Sequence, residues 1–133
     1  MDYTSRNHSK HCLMVHLIFA CKYRKKLLNR FGDDIKGILF DIASEHDFGI
    51  VEMEVDKDHV HLSVEYNPTQ SVLELVRLLK QISTYRIWRK GKNANDLQKC
   101  FWKGKTFWSD GHFACSIGQV SKEAIQKYIK EQG

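Results

Sequence analysis

Two histidines one residue apart, His59-Val60-His61, open the apolar stretch from His59 to Tyr66. In a strand, side chains alternate between the two faces. His59, His61, Ser63 and Glu65 then share one face, and Val60, Leu62, Val64 and Tyr66 share the other. The second set makes a core face. The first sets two imidazoles side by side, roughly 6 to 7 Å apart at the backbone. Two neutral imidazoles facing one point can hold a divalent metal. The plainer reading is a pair of histidines on the wet face of a half-exposed strand. His16, in the apolar segment Leu13 to Ala20, is a candidate third imidazole that supports the site. Asp56, Asp58 and Glu65 are carboxylates close enough in sequence to orient ligands.

A second constellation lies in the stretch Ala124 to Gln132, where Tyr128 and Gln132 fall one helical turn apart on one face. On their own they read as a packing tyrosine and a polar helix end, and helix ends fray. A third is basic and aromatic. It comprises Arg86, Trp88, Arg89, Lys90 and Lys92, then Lys99, Phe101, Trp102, Lys103, Lys105, Phe107 and Trp108. Interleaved rings and cations suit single-stranded DNA, because rings stack on bases and cations follow phosphates. The same rings read equally well as core. Lys22-Tyr23-Arg24-Lys25-Lys26 is a second basic segment. Arg86, Arg89, Lys103, Lys105 and Trp108, with Lys22 and Arg24, are the expected DNA contacts. Gly104-Lys105-Thr106 imitates the end of a phosphate-binding loop, but Lys99 stands where that motif needs glycine. Binding of a nucleotide triphosphate is not expected.

The elements that must position these residues follow from periodicity. Leu13 to Ala20 alternates as a strand, and the apolar residues between Asn29 and His46 recur at helical spacing. Ile50 to Val55 and His59 to Tyr66 flank the short polar break Asp56-Lys57-Asp58, which predicts an antiparallel hairpin. Ser71-x-x-Glu74 resembles a capping box opening a long helix that runs to about Trp88. Arg89 to Lys99 is polar and reads as a loop. Phe113 to Ile117 is a short fourth strand, and Ser121 caps a last helix bearing Ala124, Ile125, Tyr128 and Ile129 on one face. The order βαββαβ predicts an α+β fold, a ferredoxin-like antiparallel sheet with an added C-terminal helix that carries the tyrosine. The first and third strands are then central neighbours, which brings His16 beside the histidine pair.

The 133 residues suit a single domain, 1–133. With 42% hydrophobic and 28% charged residues, the chain has the balance of a soluble globule. No apolar run is long enough for a bilayer, so no membrane partner is expected. The polar start lacks a secretory core, which makes the cytoplasm the expected location. Four cysteines without a C-x-x-C pair argue against a zinc knuckle and a disulfide scaffold. A net charge of +5 points to a polyanionic partner, nucleic acid first.

Taken in order, the hairpin, His59-Val60-His61, Tyr128 and Gln132 closely resemble the single-tyrosine HUH transposases, small enzymes of insertion sequences of the 200/605 type. Other stretches agree: His16 with Cys21-Lys22-Tyr23-Arg24, and Trp108 through Gly118 leading into Gln126-Lys127-Tyr128-Ile129. The resemblance spans nearly the whole chain. It implies that His59, His61 and Gln132 hold a divalent metal, Mg²⁺ or Mn²⁺, and that Tyr128 is the nucleophile. It implies a 5′-phosphotyrosine intermediate on single-stranded DNA with hairpin ends, a homodimer, and no need for a nucleotide triphosphate. Three other readings stay open. One is a domesticated HUH nuclease serving repeated palindromes. Another is a replication nickase, although those usually carry further domains. The last is a non-catalytic single-stranded nucleic-acid-binding module on the same sheet.

Overall fold

The computed structural model describes residues 13–116 and 129–131. Strand β1, Leu13–Ala20, is followed by a 3-10 turn at Lys22–Arg24 and helix α1, Leu28–Glu45. Strands β2, Gly49–Val55, and β3, His59–Tyr66, form the expected hairpin. Helix α2 is Val72–Arg89, helix α3 is Asn93–Cys100, and strand β4 is Phe113–Ser116. The four strands lie in the order β2-β3-β1-β4, every pair antiparallel. This is the α+β, ferredoxin-like arrangement, with β1 and β3 at the centre.

Alternation builds the core. Val15, Leu17 and Phe19 of β1 and Val60, Leu62 and Val64 of β3 are buried against α1 and α2. Phe31, Ile35, Ile38, Leu39 and Ile42 supply the apolar stripe of α1. Each such aliphatic or aromatic side chain contributes about 1.5–3 kcal/mol on burial. Ser71 caps α2, its Oγ accepting from the Glu74 N–H at 3.1 Å, which is one half of a capping box.

Two expectations are corrected. The stretch Arg89 to Lys99, read as loop, instead contains most of α3, Asn93–Cys100. Its only buried positions are Asn93 and Leu97, so the apolar signal is one residue wide. Asn93 instead anchors the helix by hydrogen bonds, its Nδ2 donating to Asp34 Oδ2 at 3.2 Å and the Ile87 carbonyl at 3.3 Å. Trp108, expected on the DNA surface, is a core residue. It is 5% exposed, its Nε1 donates to Ser83 Oγ at 2.9 Å, and its ring packs edge-on against Phe107 with centroids 4.7 Å apart. Trp88 and Phe107 are buried with it, whereas Trp102 is 88% exposed. The fourth strand starts at Phe113 as expected; Ile117 lies outside the described residues.

Trp108→Ala removes a buried ring and the hydrogen bond it donates to Ser83 Oγ, which keeps its own bond to the Lys80 carbonyl, and should cost about 3–5 kcal/mol in urea denaturation. Trp102→Ala should change stability by less than about 0.5 kcal/mol. Equal losses in the two variants would contradict this division of the tryptophans.

Candidate active site

The histidine face of the sheet follows from register. His16 of β1 lies opposite Ser63, Ile18 opposite His61, and Ala20 opposite His59. From the other side β2 places Glu54 opposite His61 and Glu52 opposite Ser63. Directly paired residues share a face, so His16, His59, His61, Ser63, Glu52 and Glu54 all belong to the side away from α1 and α2. Ile18, on the same side, is fully buried yet stands outside the main core. The centre of this face is therefore covered as well.

Four polar side chains are linked across it. His61 Nε2 lies 3.4 Å from His16 Nδ1, and the two rings are tilted with centroids 5.3 Å apart. Ser63 Oγ lies 3.3 Å from His16 Nδ1 and donates to Glu52 Oε1 at 3.4 Å. Glu54 Oε1 stands 3.9 Å from His61 Nδ1. These groups border a hollow of about 360 Å³. Burial, and then the neighbouring His16, push the His61 pKa down, which keeps its imidazole neutral at neutral pH. Of the carboxylates expected nearby, Asp58 takes the part, Asp56 Oδ1 accepts from the Lys57 N–H, and Glu65 packs beside Gly49. Glu52 and Glu54 were not expected. Their alternation along β2 would have shown them once the hairpin register was set.

Asp58 joins the parts of the site. Its Oδ1 lies 3.0 Å from His59 Nδ1, and its Oδ2 accepts from Arg24 Nε at 2.9 Å. Its backbone carbonyl accepts from the Cys21 N–H at 2.8 Å, which pins the end of β1 to the hairpin. Burial opposes ionisation of Asp58, but the Arg24 and His59 hydrogen bonds more than offset it, and the carboxyl is held below its usual range. Arg24 also donates from Nη1 to the carbonyl of Ile129 at 2.6 Å. Ile129 follows Tyr128 in the sequence, and residues 129–131 are helical. Tyr128 and Gln132 themselves lie outside the described residues. The adjacent Cys21 offers no rival nucleophile, since burial pushes its thiol up to about 12.

The donor chemistry fits a divalent metal in part. Asp58 Oδ1 lies 3.0 Å from His59 Nδ1, a pairing that suits the tautomer with its hydrogen on Nδ1, the usual carboxylate–histidine arrangement at metal sites. His61 is neutral, as a ligand must be. Among the described residues no group of three His, Cys, Asp or Glu side chains converges on one point. Of the three expected ligands, His59 and His61 lie among the described residues and Gln132 does not.

The other expected DNA contacts separate. Lys22, Lys103 and Lys105 border one cleft. Arg24 is held by Asp58 and Ile129, so its place is within the site and not on an open surface. Arg86 is tied to Glu45 of α1 by a forked pair, Nη2–Oε1 2.6 Å and Nη1–Oε2 3.2 Å, and Arg89 stacks over Tyr85 at 4.2 Å. No helix among the described residues is long and apolar enough to cross a membrane.

Known proteins resemble the chain in sequence and fold. Residues 9–132 match the model of the family described as IS200-like transposases. The ISDra2 transposase TnpA of Deinococcus radiodurans is 33% identical over 121 residues, covering 90% of this chain and 84% of that protein. The transposase for insertion sequence element IS200 of Salmonella typhimurium is 28% identical over 134 residues, 98% of this chain and 84% of the relative. A crystal structure of a candidate transposase from Deinococcus radiodurans superimposes with a TM-score of 0.79 at 31% identity, covering 90% of each chain. A tyrosine transposase bound to a REP hairpin shares the fold, with a TM-score of 0.57 at 13% identity over 96% of this chain and 74% of that one.

Asp58→Asn should lower stability at neutral pH by about 1–3 kcal/mol. Because the folded pKa of Asp58 is depressed, its contribution is present above the unfolded value, near about 4, and is lost as pH falls through the folded value. The gap between wild type and variant in urea denaturation should therefore narrow in strong acid. A gap independent of pH would contradict the charge pairing of Arg24 and Asp58.

Proposed function

The chain belongs to the IS200-like transposase family, and from that premise we propose that it is a single-tyrosine HUH enzyme. Its substrate is single-stranded DNA with hairpin-marked ends, which it cuts and rejoins. Tyr128 attacks a phosphodiester through its phenolic oxygen. A phosphorus–oxygen bond to Tyr128 forms, the bond to the 3′ oxygen breaks, and the protein keeps the 5′ phosphate while a 3′ hydroxyl is released. A second DNA end reverses the exchange, so bond energy is conserved and no nucleotide triphosphate is consumed.

His59, His61 and Gln132 are the residues proposed to hold a divalent cation, Mg²⁺ or Mn²⁺. When bound it supplies positive charge for the phosphoryl oxygen that becomes more negative in the transition state. The chain's own groups do the positioning. Asp58 fixes the tautomer of His59, and His16 holds the ring of His61 on the central strands. The observation that carries the reading is the Asp58–Arg24 link, which ties the histidine strand to the carbonyl next to Tyr128 in sequence. A homodimer and a cytoplasmic setting complete the proposal. A binding module that stacks bases on its sheet is disfavoured, because the sheet face away from the helices is closed at Ile18 and carries imidazoles and carboxylates where stacking rings would be needed.

Tyr128→Phe should abolish the covalent adduct on a single-stranded hairpin oligonucleotide, lowering cleavage by about a thousand-fold or more while binding survives. His59→Ala and His61→Ala should lose metal-stimulated cleavage, as should wild type in EDTA. An adduct persisting in Tyr128→Phe would remove Tyr128 as nucleophile, and full cleavage in EDTA would remove the metal.

A further inference from the structure

A cleft of about 450 Å³ opens between the Lys22–Arg24 turn and the segment after α3. Phe101, 6% exposed, lies at its base, while Trp102 and Tyr23 stand out from it, 88% and 71% exposed. Large rings so exposed are unusual on a soluble protein unless they meet a partner. The exposure of Tyr23 is built into the backbone. Its φ of 59° and ψ of 21° place a non-glycine residue in the left-handed region, and Arg24 follows at φ 53°. Such a conformation costs roughly 1–2 kcal/mol per residue. Strain of this kind clusters at functional positions. It leaves the Tyr23 ring 6.5 Å from that of Phe101, inclined by 39°.

Cations and rings alternate along the cleft. Lys22 Nζ lies 5.6 Å from the Tyr23 ring centre, Lys25 Nζ 5.9 Å from Phe101, and Lys103 Nζ 5.8 Å from Trp102. Lys105 completes a lining of four lysines without one carboxylate. Among the described residues the acid that pairs with them, Asp110, meets Lys22 at 3.7 Å and is 98% exposed, so it neutralises little. Flat apolar faces with surrounding positive charge match a base and its phosphates, not an acidic peptide, which has no flat face to offer the rings. The cleft also lies next to the chemistry. Tyr23 sits between Lys22, which lines the cleft, and Arg24, whose Nε bonds to Asp58 at 2.9 Å beside His59.

We infer that this cleft is a subsite for an unpaired nucleotide of the DNA strand, its base stacked on Trp102 and Tyr23 and its phosphates met by Lys22, Lys25, Lys103 and Lys105. The inference rests on the reading of the chain as a single-stranded DNA transposase and assigns the part of that strand's path that flanks the histidines. It also moves the stacking role from the buried Trp108 to the exposed Trp102.

The test is a titration of the full chain in EDTA, so that no cleavage intervenes, with an oligothymidylate and with the same backbone lacking bases. Affinity is read for every variant from the fluorescence anisotropy of a dye-labelled strand; in wild type, where Trp88 and Trp108 are each 5% exposed, quenching of tryptophan emission reports in addition on Trp102. Trp102→Ala should weaken oligothymidylate binding about five- to hundred-fold, and Trp102→Phe should restore most of it. On the abasic strand wild type and Trp102→Ala should bind alike. Equal oligothymidylate affinity for wild type and Trp102→Ala, or an equal loss on the abasic strand, would overturn the subsite. The covalent-adduct assay separates the two readings. Adduct formation by wild type with no Trp102 effect would leave the transposase without this subsite. A Trp102 effect with no adduct would leave the subsite on a protein that only binds.

Discussion

Side chains along a strand change faces at every residue, and β3 uses that rule on both sides at once. Val60, Leu62 and Val64 are fully buried in the core, and this single fact fixes His59, His61 and Ser63 on the opposite face. A slip of one residue would drive two imidazoles into the core and three aliphatic side chains out of it. The slip is opposed by several buried aliphatic side chains at about 1.5–3 kcal/mol each. The antiparallel pairing with β1 then delivers His16, and the pairing with β2 delivers Glu52 and Glu54, without any separate device. The polar face is thus a consequence of the apolar one.

What the sheet does not supply is a connection to the rest of the chain, and Asp58 makes it. One carboxylate meets both His59 and Arg24, while its own backbone carbonyl holds the end of β1. Arg24 carries the link onward to Ile129. The guanidinium is suited to this, since its fork can serve a carboxylate and a carbonyl together. The strained turn that presents Arg24 also presents Tyr23 outward. One short segment therefore serves the histidine site on one side and the lysine-lined cleft on the other.

The parts legible from sequence were those in which period and residue type agree. The alternation of β3, the amphipathic stripe of α1 and the Ser71 cap are of this kind. Helix α3 was hidden because its burial rests on Leu97 and a hydrogen-bonded asparagine, which no hydrophobic period reveals. Trp102 and Trp108 are the same residue type in the same basic segment, and only tertiary packing decides that one stacks in the core and the other faces solvent. Arg24 looked like a DNA contact because its partner, Asp58, lies across a strand and a helix in sequence. The histidine pair gained its meaning in a similar way, from residues far along the chain.

The central claim is that the histidine face and Tyr128 act together on DNA. The most direct measurement is mass-spectrometric mapping of the covalent complex. The protein is incubated with a single-stranded hairpin oligonucleotide and Mg²⁺ or Mn²⁺, digested, and searched for the peptide that carries nucleotide. The account predicts a nucleotide 5′ phosphate on Tyr128, formed only when the divalent metal is present. Nucleotide on another residue, such as Tyr66 or Tyr85, or an adduct formed equally well without metal, would contradict it.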